Sequence, residues 1–313
     1  MIITTPSRIH ITLIDLNASI GRMDGGIGLA LDKPNIKISA RRHDKISVKG
    51  PIQEKGKEAA IKILKVLGIE GGIKVDIKEA YTQHIGLGSG TQVAVAVGKA
   101  ICDLYGRKMS IREIAEIVGR GGTSGIGTAA FEAGGFILDG GHSTKEKKDF
   151  LPSSASKAAP APVIARYDFP DWKIVLVIPK IGKDVHGGEE VNIFQKYCPI
   201  DLREVQRLCH TIVMKTLPSI IDEDIQSFGQ SINEIQSMGF KKIEVGLQSE
   251  EVKRILRICQ ENSYGAGLSS FGPTIYSIVE DEDELLNSLT KESGIEQIVV
   301  TKANNSGAIV EER

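Results

Sequence analysis

The densest chemical signal is Gln83-His84-Ile85-Gly86-Leu87-Gly88-Ser89-Gly90-Thr91, glycines and hydroxyls between a strand-like run and an apolar, helix-like one. Glycines let a backbone approach an anion closely, and a helix N-terminus adds unpaired N–H groups and the positive end of its dipole. Phosphate binding is the expected chemistry, slightly ahead of a ligand-free turn. No Gly-Lys-Ser/Thr follows, so this is not a Walker loop. The third glycine falls too early for a dinucleotide fingerprint, and no acid follows some twenty residues on. Two further clusters are Gly121-Gly122-Thr123-Ser124-Gly125-Ile126-Gly127-Thr128 and Gly265-Ala266-Gly267-Leu268-Ser269-Ser270-Phe271-Gly272-Pro273. Each alone suits a turn. Three in one chain point to a substrate carrying several phosphates.

Charged groups gather near the N-terminus. Arg8, His10 and Thr12 alternate with Ile9, Ile11 and Leu13, so they share one strand face, which suits either a site or the wet face of an edge strand. Arg22 and Asp24 lie among the turn formers Gly21, Gly25 and Gly26, and Asp139 and His142 flank Gly140-Gly141. His186-Gly187-Gly188-Glu189-Glu190 reads as a helix start, with a substrate loop as the alternative. His43 and His210 read as surface positions.

These groups need elements to hold them. Strands are expected at Gly26–Leu31, Ile36–Arg41, Lys45–Val48, Ile73–Ile77 and Gly135–Leu138, and helices at about 53–67, 91–104 and 128–132. Ser110-Ile-Arg-Glu113 is a capping box opening another helix. Between Gly140 and Pro162 the pattern stops in a small, proline-punctuated stretch. Then come a strand at Lys173–Ile178, helices capped by Asp201 and Ser249, and a closing strand (Thr274–Val279), helix (Glu282–Leu289) and strand (Gln297–Lys302). Strands and helices mix without a steady βαβ rhythm, so the expected class is α+β in two domains.

Composition narrows the classes. The chain has 313 residues, with 39 Lys plus Arg against 40 Asp plus Glu and a net charge of −1. That length suits about two domains, and the balance argues against a broad nucleic-acid-binding face. With 41% hydrophobic and 25% charged residues, the sequence is that of an ordinary globular protein. No run approaches the roughly eighteen apolar residues of a membrane span, and the N-terminus is not patterned as a signal peptide. Cys102, Cys198, Cys209 and Cys259 show no paired spacing, so free thiols and a cytoplasmic setting are expected.

Taken in order, Pro6-Ser7-Arg8, Gly86-Leu87-Gly88-Ser89-Gly90, Thr123-Ser124-Gly125-Ile126 and Gly265-Ala266-Gly267 resemble the signature motifs of the GHMP kinase superfamily along nearly the whole chain. The resemblance implies an N-terminal domain with a left-handed βαβ unit, here 1–165, and a ferredoxin-like C-terminal domain, here 166–313. It also implies a diphosphate held by Gly86–Thr91, with Ser124, Gly125, Gly127, Gly265 and Gly267 contributing. Two departures argue against ATP phosphoryl transfer. Gly127 stands where many of the kinases have a catalytic aspartate, and Gly90 where they have a second serine near Mg²⁺.

Ser7–Asn17, Gly21–Leu31 and Gly125–Phe136 resemble a non-kinase branch, the archaeal β-ribofuranosylaminobenzene 5'-phosphate synthase family of methanopterin biosynthesis. This implies condensation of phosphoribosyl diphosphate with 4-hydroxybenzoate or 4-aminobenzoate, losing diphosphate and CO₂. It implies Mg²⁺ with the diphosphate and no organic cofactor. Under it, Asp15 or Asp24 would favour a cation-like ribose, Arg8 or Arg22 would orient the acceptor carboxylate, and Ser89 and Glu132 would lie near the metal. The general base stays unassigned. The implied partners are these two substrates, without nucleic acid or membrane, and with a homodimer left open. The rivals are a GHMP-type kinase and a non-catalytic phosphate binder.

Overall fold

The computed structural model describes residues 1–153, 155–180 and 187–312, with the side chains of 187–189 left aside. The first half consists of β1 (Ile2–Asp15), β2 (Arg22–His43), β3 (Ser47–Lys49), α1 (Gln53–Leu67), β4 (Gly72–Glu79), α2 (Ser89–Leu104), α3 (Ile111–Val118), α4 (Ile126–Ala133), β5 (Phe136–Asp139), β6 (His142–Ser143) and β7 (Val163–Tyr167). The second half begins with β8 (Lys173–Pro179), α5 (Gly187–Tyr197), α6 (Leu202–Thr211), a π-helical turn at Ile212–Thr216, α7 (Leu217–Ile221) and α8 (Ile225–Ile235). It ends with α9 (Gly239–Gly246), α10 (Glu250–Glu261), β9 (Gly265–Leu268), β10 (Ile275–Val279), α11 (Asp283–Leu289), β11 (Ile295–Thr301) and β12 (Ile309–Glu311).

Two sheets organise these elements. The first runs β12-β1-β2-β4-β3, with β5 paired to β2 and β7 to β5. Within it β3 and β4 are parallel around α1, and Ile36, Ile38, Ile73 and Val75 pack on Ala60, Ile63, Val93 and Val97 of α1 and α2. The second is antiparallel, β11-β8-β10-β9, which in its own strand order is 4-1-3-2, the ferredoxin-like arrangement. A shared core of Ile9, Ile11, Leu29, Phe136, Phe169, Trp172 and Phe228 joins the halves. β7 runs across the 165/166 boundary, and β12 returns to pair with β1.

The fold is the α+β, two-domain arrangement expected. Helix α1 spans the residues its pattern gives, and Ser110 and Glu113 form the capping box. The four cysteines are free. Three differences are informative. The strands expected at Gly26–Leu31 and Ile36–Arg41 are one strand, because Asp32–Asn35 bulge out of the pairing where Ser7 faces Leu31 and Thr5 faces Ile36. The cluster at Gly265 is not a loop at its start: Gly265–Leu268 is a buried strand. Arg8, His10 and Thr12 are not a wet face, since His10 and Thr12 are buried and Arg8 is half-buried.

Candidate active site

A cavity of about 260 Å³ opens where the N-termini of α2 and α4 meet β1, α9 and the loop after β9. Its first end is built from Gly86–Thr91. Gly88 caps α2 with φ +84°, a left-handed conformation that favours glycine. The loop's carbonyls are tied back to protein. Gly86 O accepts from the Arg8 guanidinium and from Ser269 Oγ at 2.8 Å, and Leu87 O accepts from Arg8 N at 3.2 Å and Tyr81 Oη at 3.0 Å. Ser89 and Gly90 N–H have no acceptor among the described residues. The cavity therefore meets donors and a helix dipole rather than carbonyls.

Cations surround these donors. A methyl at Gly88 would lie 3.2 Å from Cζ of Arg8, and one at Gly90 would lie 3.2 Å from Nη2 of Arg120. Lys55 also lines this end. Burial lowers the pKa of both arginines, a cost that a bound anion would offset. Gly127 faces Thr91, whose Cγ2 a methyl there would approach to 3.3 Å, and Gly127 O accepts from Gln92 Nε2 at 2.8 Å. The α4 loop is held from behind by Asp139, which accepts from Ser124 Oγ (3.0 Å), Gly125 N (2.9 Å) and Gly141 N (3.0 Å). Burial, opposed by those bonds, raises the Asp139 carboxyl to about 6.

The other end is aromatic and acidic. Leu13, Phe194 and Phe271 line it, and Phe240 packs behind with ring centroids 4.7 Å from Phe194 and 5.9 Å from Phe271. Lys241, fully buried on α9, donates to Leu268 O and Ser270 O at 3.1 Å each and pairs with Glu244. Glu190 and Glu244 line the cavity, and burial pushes both carboxyls above their usual range.

Several expected residues do not reach this lining. Asp15 spends its carboxylate on Asn17 N (2.8 Å) and Ala18 N (3.0 Å), a local turn. The Arg22 guanidinium reaches out to Gly140 O and Gly141 O. Asp24, 1% exposed, takes Lys147 Nζ at 2.9 Å and lies 2.6 Å from His142 Nδ1. Lys147 also donates to Gly122 O (3.1 Å), Thr123 Oγ1 (3.1 Å) and Leu151 O (3.3 Å). Asp24 therefore braces the Gly121–Ser124 loop from inside. Glu132 is exposed and off the lining, Leu87 is buried in the core, and Gly125 turns its N–H to Asp139.

Gly265 and Gly267 are packing glycines. A side chain on Gly265 would strike the Gly229 backbone of α8, and a methyl on Gly267 would lie 2.5 Å from Tyr276 Oη. The structure thus brings together Arg8, Gly86, Gly88, Ser89, Gly90, Thr91, Ser124 and Gly127. It adds Lys55, Arg120, Phe194 and Glu244, which no local motif marked, and Thr123, Ser270 and Phe271 from the second and third glycine clusters. His186 and the Glu189 side chain lie outside the described residues.

Residues 55–135 match the family model for the GHMP kinases N terminal domain, and residues 216–294 the model GHMP kinases C terminal. The chain is 50% identical to the beta-ribofuranosylphenol 5'-phosphate synthase of Archaeoglobus fulgidus, over 98% of each chain. It is also 50% identical to the protein of that name from Methanocaldococcus jannaschii, over 98% of this chain and 99% of that one. Among solved structures, Methanococcus jannaschii mevalonate kinase aligns with a TM-score of 0.70 at 17% identity, over 97% of this chain and 98% of that one, a likeness of fold alone.

Proposed function

Because the chain belongs to the β-ribofuranosylphenol 5'-phosphate synthase family, within the GHMP kinase superfamily, we propose that it condenses phosphoribosyl diphosphate with 4-hydroxybenzoate, releasing CO₂ and diphosphate. It is an enzyme, a pentosyltransferase of methanopterin biosynthesis, rather than a kinase. The sequence leaves the 4-hydroxy and 4-amino acceptors open. The relatives are named for a phenol, and that supports the hydroxy acid.

One observation carries the reading: a single cavity has a cationic, N–H-rich end and an aromatic end. Ser89 and Gly90 N–H, with Arg8, Arg120 and Lys55, suit a diphosphate leaving group whose charge grows as its bond to ribose breaks. Leu13, Phe194 and Phe271 suit a flat ring. Among the described residues Glu190 and Glu244 are the carboxylates on the lining, so stabilisation of a cation-like ribose is assigned to them rather than to Asp15 or Asp24.

Ser89 and Thr91 hydroxyls line the phosphate end and are hard oxygen donors of the kind Mg²⁺ accepts, whereas exposed Glu132 does not fit. Mg²⁺ bound there with the diphosphate would supply charge neutralisation. Among the described residues no group of three or more His, Cys, Asp or Glu is placed to hold a metal, so binding should depend on the donor. The test is release of labelled CO₂ from carboxyl-labelled 4-hydroxybenzoate. It should require phosphoribosyl diphosphate and fail in excess chelator. ATP consumption without CO₂ release would overturn the reading.

A further inference from the structure

β1 brings one more group to the cavity, and nothing among the described residues satisfies it. His10 is 7% exposed, and both of its ring nitrogens are buried without a hydrogen-bond partner among the described residues. Its backbone is fully used: the N–H donates to Ser269 Oγ at 3.1 Å and the carbonyl accepts from Ser270 N at 2.8 Å. Those bonds hold the His10 backbone to the Ser269–Ser270 turn, and the residue lines the same cavity as Phe271. A buried polar group left unsatisfied in so well bonded a frame asks for a ligand atom.

The surroundings say which kind of atom. Arg8 of β1 and Lys241 of α9 lie close enough to act on the ring, Glu244 of α9 and Glu190 of α5 line the same cavity, and Asp139 of β5 lies near, since one methyl at Gly26 would be 3.1 Å from His10 Nε2 and 3.5 Å from Asp139 Oδ2. Burial, then Arg8, then Lys241 disfavour the imidazolium and keep the ring neutral. A neutral imidazole always presents one bare nitrogen, so it wants a protonated partner. On the same lining Leu13, Phe194 and Phe271 belong to one apolar cluster, which suits an aromatic ring with a single hydroxyl better than a ribose needing several partners.

Resting on the reading above, we infer that His10 takes the proton of the acceptor's 4-hydroxyl and returns it at the end of the reaction. The proton moves to the bare ring nitrogen, and the oxygen's electron pair feeds the ring. The ring carbon bearing the carboxylate then bonds to ribose C1, as the C1–O bond breaks and its pair leaves on diphosphate. The bond to the carboxylate breaks next, its pair restores the aromatic ring, and CO₂ departs. The phenolate retakes its proton from His10. No oxidant or reductant is needed. The donor's phosphates offset Arg8 and Glu244 offsets Lys241, so the brief imidazolium is tolerated.

The experiment compares the unaltered protein with His10→Gln and His10→Asn, using 4-hydroxybenzoate and 3,5-difluoro-4-hydroxybenzoate, whose hydroxyl gives up its proton far more readily. With 4-hydroxybenzoate each variant should lose about 10²–10³-fold in kcat, the range of general-base catalysis, while KM for phosphoribosyl diphosphate and the melting temperature hold. With the difluoro acceptor, the variant-to-unaltered ratio should recover at least tenfold, a rescue that a merely structural role would not give. Equal losses with both acceptors, or unchanged kcat, would overturn the inference while leaving the proposed function standing. No CO₂ release by the unaltered protein would overturn both.

Discussion

Two buried lysine–carboxylate pairs flank the cavity, and their environments are opposite. Lys147 and Asp24 are saturated: the lysine has three further oxygen acceptors, and the carboxylate also has His142. Neither residue reaches the cavity, and together they fix the Gly121–Ser124 loop. Lys241 has two carbonyls besides Glu244, but Glu244 lies on the lining, next to Glu190 and near the unpartnered His10. Closed networks hold position; open ones await a ligand. The same division separates the glycine motifs, since Gly86–Gly90 faces the cavity and Gly265–Gly267 faces its own core.

The largest expected effect breaks the closed pair. Asp24→Asn leaves Lys147 buried without its counter-charge, and removing one partner of such a pair costs about 3–5 kcal/mol. Urea unfolding should show that loss, with CO₂ release falling because the Gly121–Ser124 loop loosens. Unchanged unfolding free energy with lost activity would return Asp24 to the substrate chemistry first expected of it.

The glycines come next. Gly88→Ala pushes on the Arg8 guanidinium and turns the neighbouring donors. Charge-assisted hydrogen bonds are worth roughly 1.5–3 kcal/mol each, so losing two should weaken diphosphate inhibition by about a hundredfold or more. Gly267→Ala meets Tyr276 and Gln236, an overpacked core costing typically 1–3 kcal/mol of stability, with diphosphate affinity unchanged in the folded fraction. If the two variants exchanged phenotypes, the division between open and closed glycines would collapse.

What the sequence made legible follows the range of each interaction. Helix α1, the Ser110–Glu113 box and the glycine loop before α2 depend on neighbours within a few residues, and they stand where their patterns put them. The alternation that groups Arg8 with His10 is equally local, but whether that face is wet depends on the strand and loop laid over it. Asp24 looked like turn chemistry among glycines because Lys147 is 123 positions away. Gly265 and Gly267 carry the composition of a phosphate loop, yet close approach to α8 and β10 demands glycine just as strongly. Lys241, Glu244 and Arg120 lie in ordinary helical or turn surroundings, and only tertiary contact gives them a task.

The smallest effect sharpens the contrast. Glu244→Gln makes the same isosteric change as Asp24→Asn, yet it should cost less stability, because burial already pushes the Glu244 carboxyl towards its neutral form, which the amide resembles. The sign of its pH dependence follows from the raised carboxyl. A carboxyl raised in the folded state binds its proton more tightly there than in the unfolded chain, so folding is favoured at acid pH and weakens as pH climbs above the ordinary glutamate range. The amide cannot ionise. The unaltered protein should therefore be at its best relative to Glu244→Gln at low pH and lose ground as pH rises. Urea unfolding of both proteins at pH 5 and pH 8 measures the difference. A Glu244→Gln cost as large as that of Asp24→Asn, or one growing with pH, would show the two pairs to be alike.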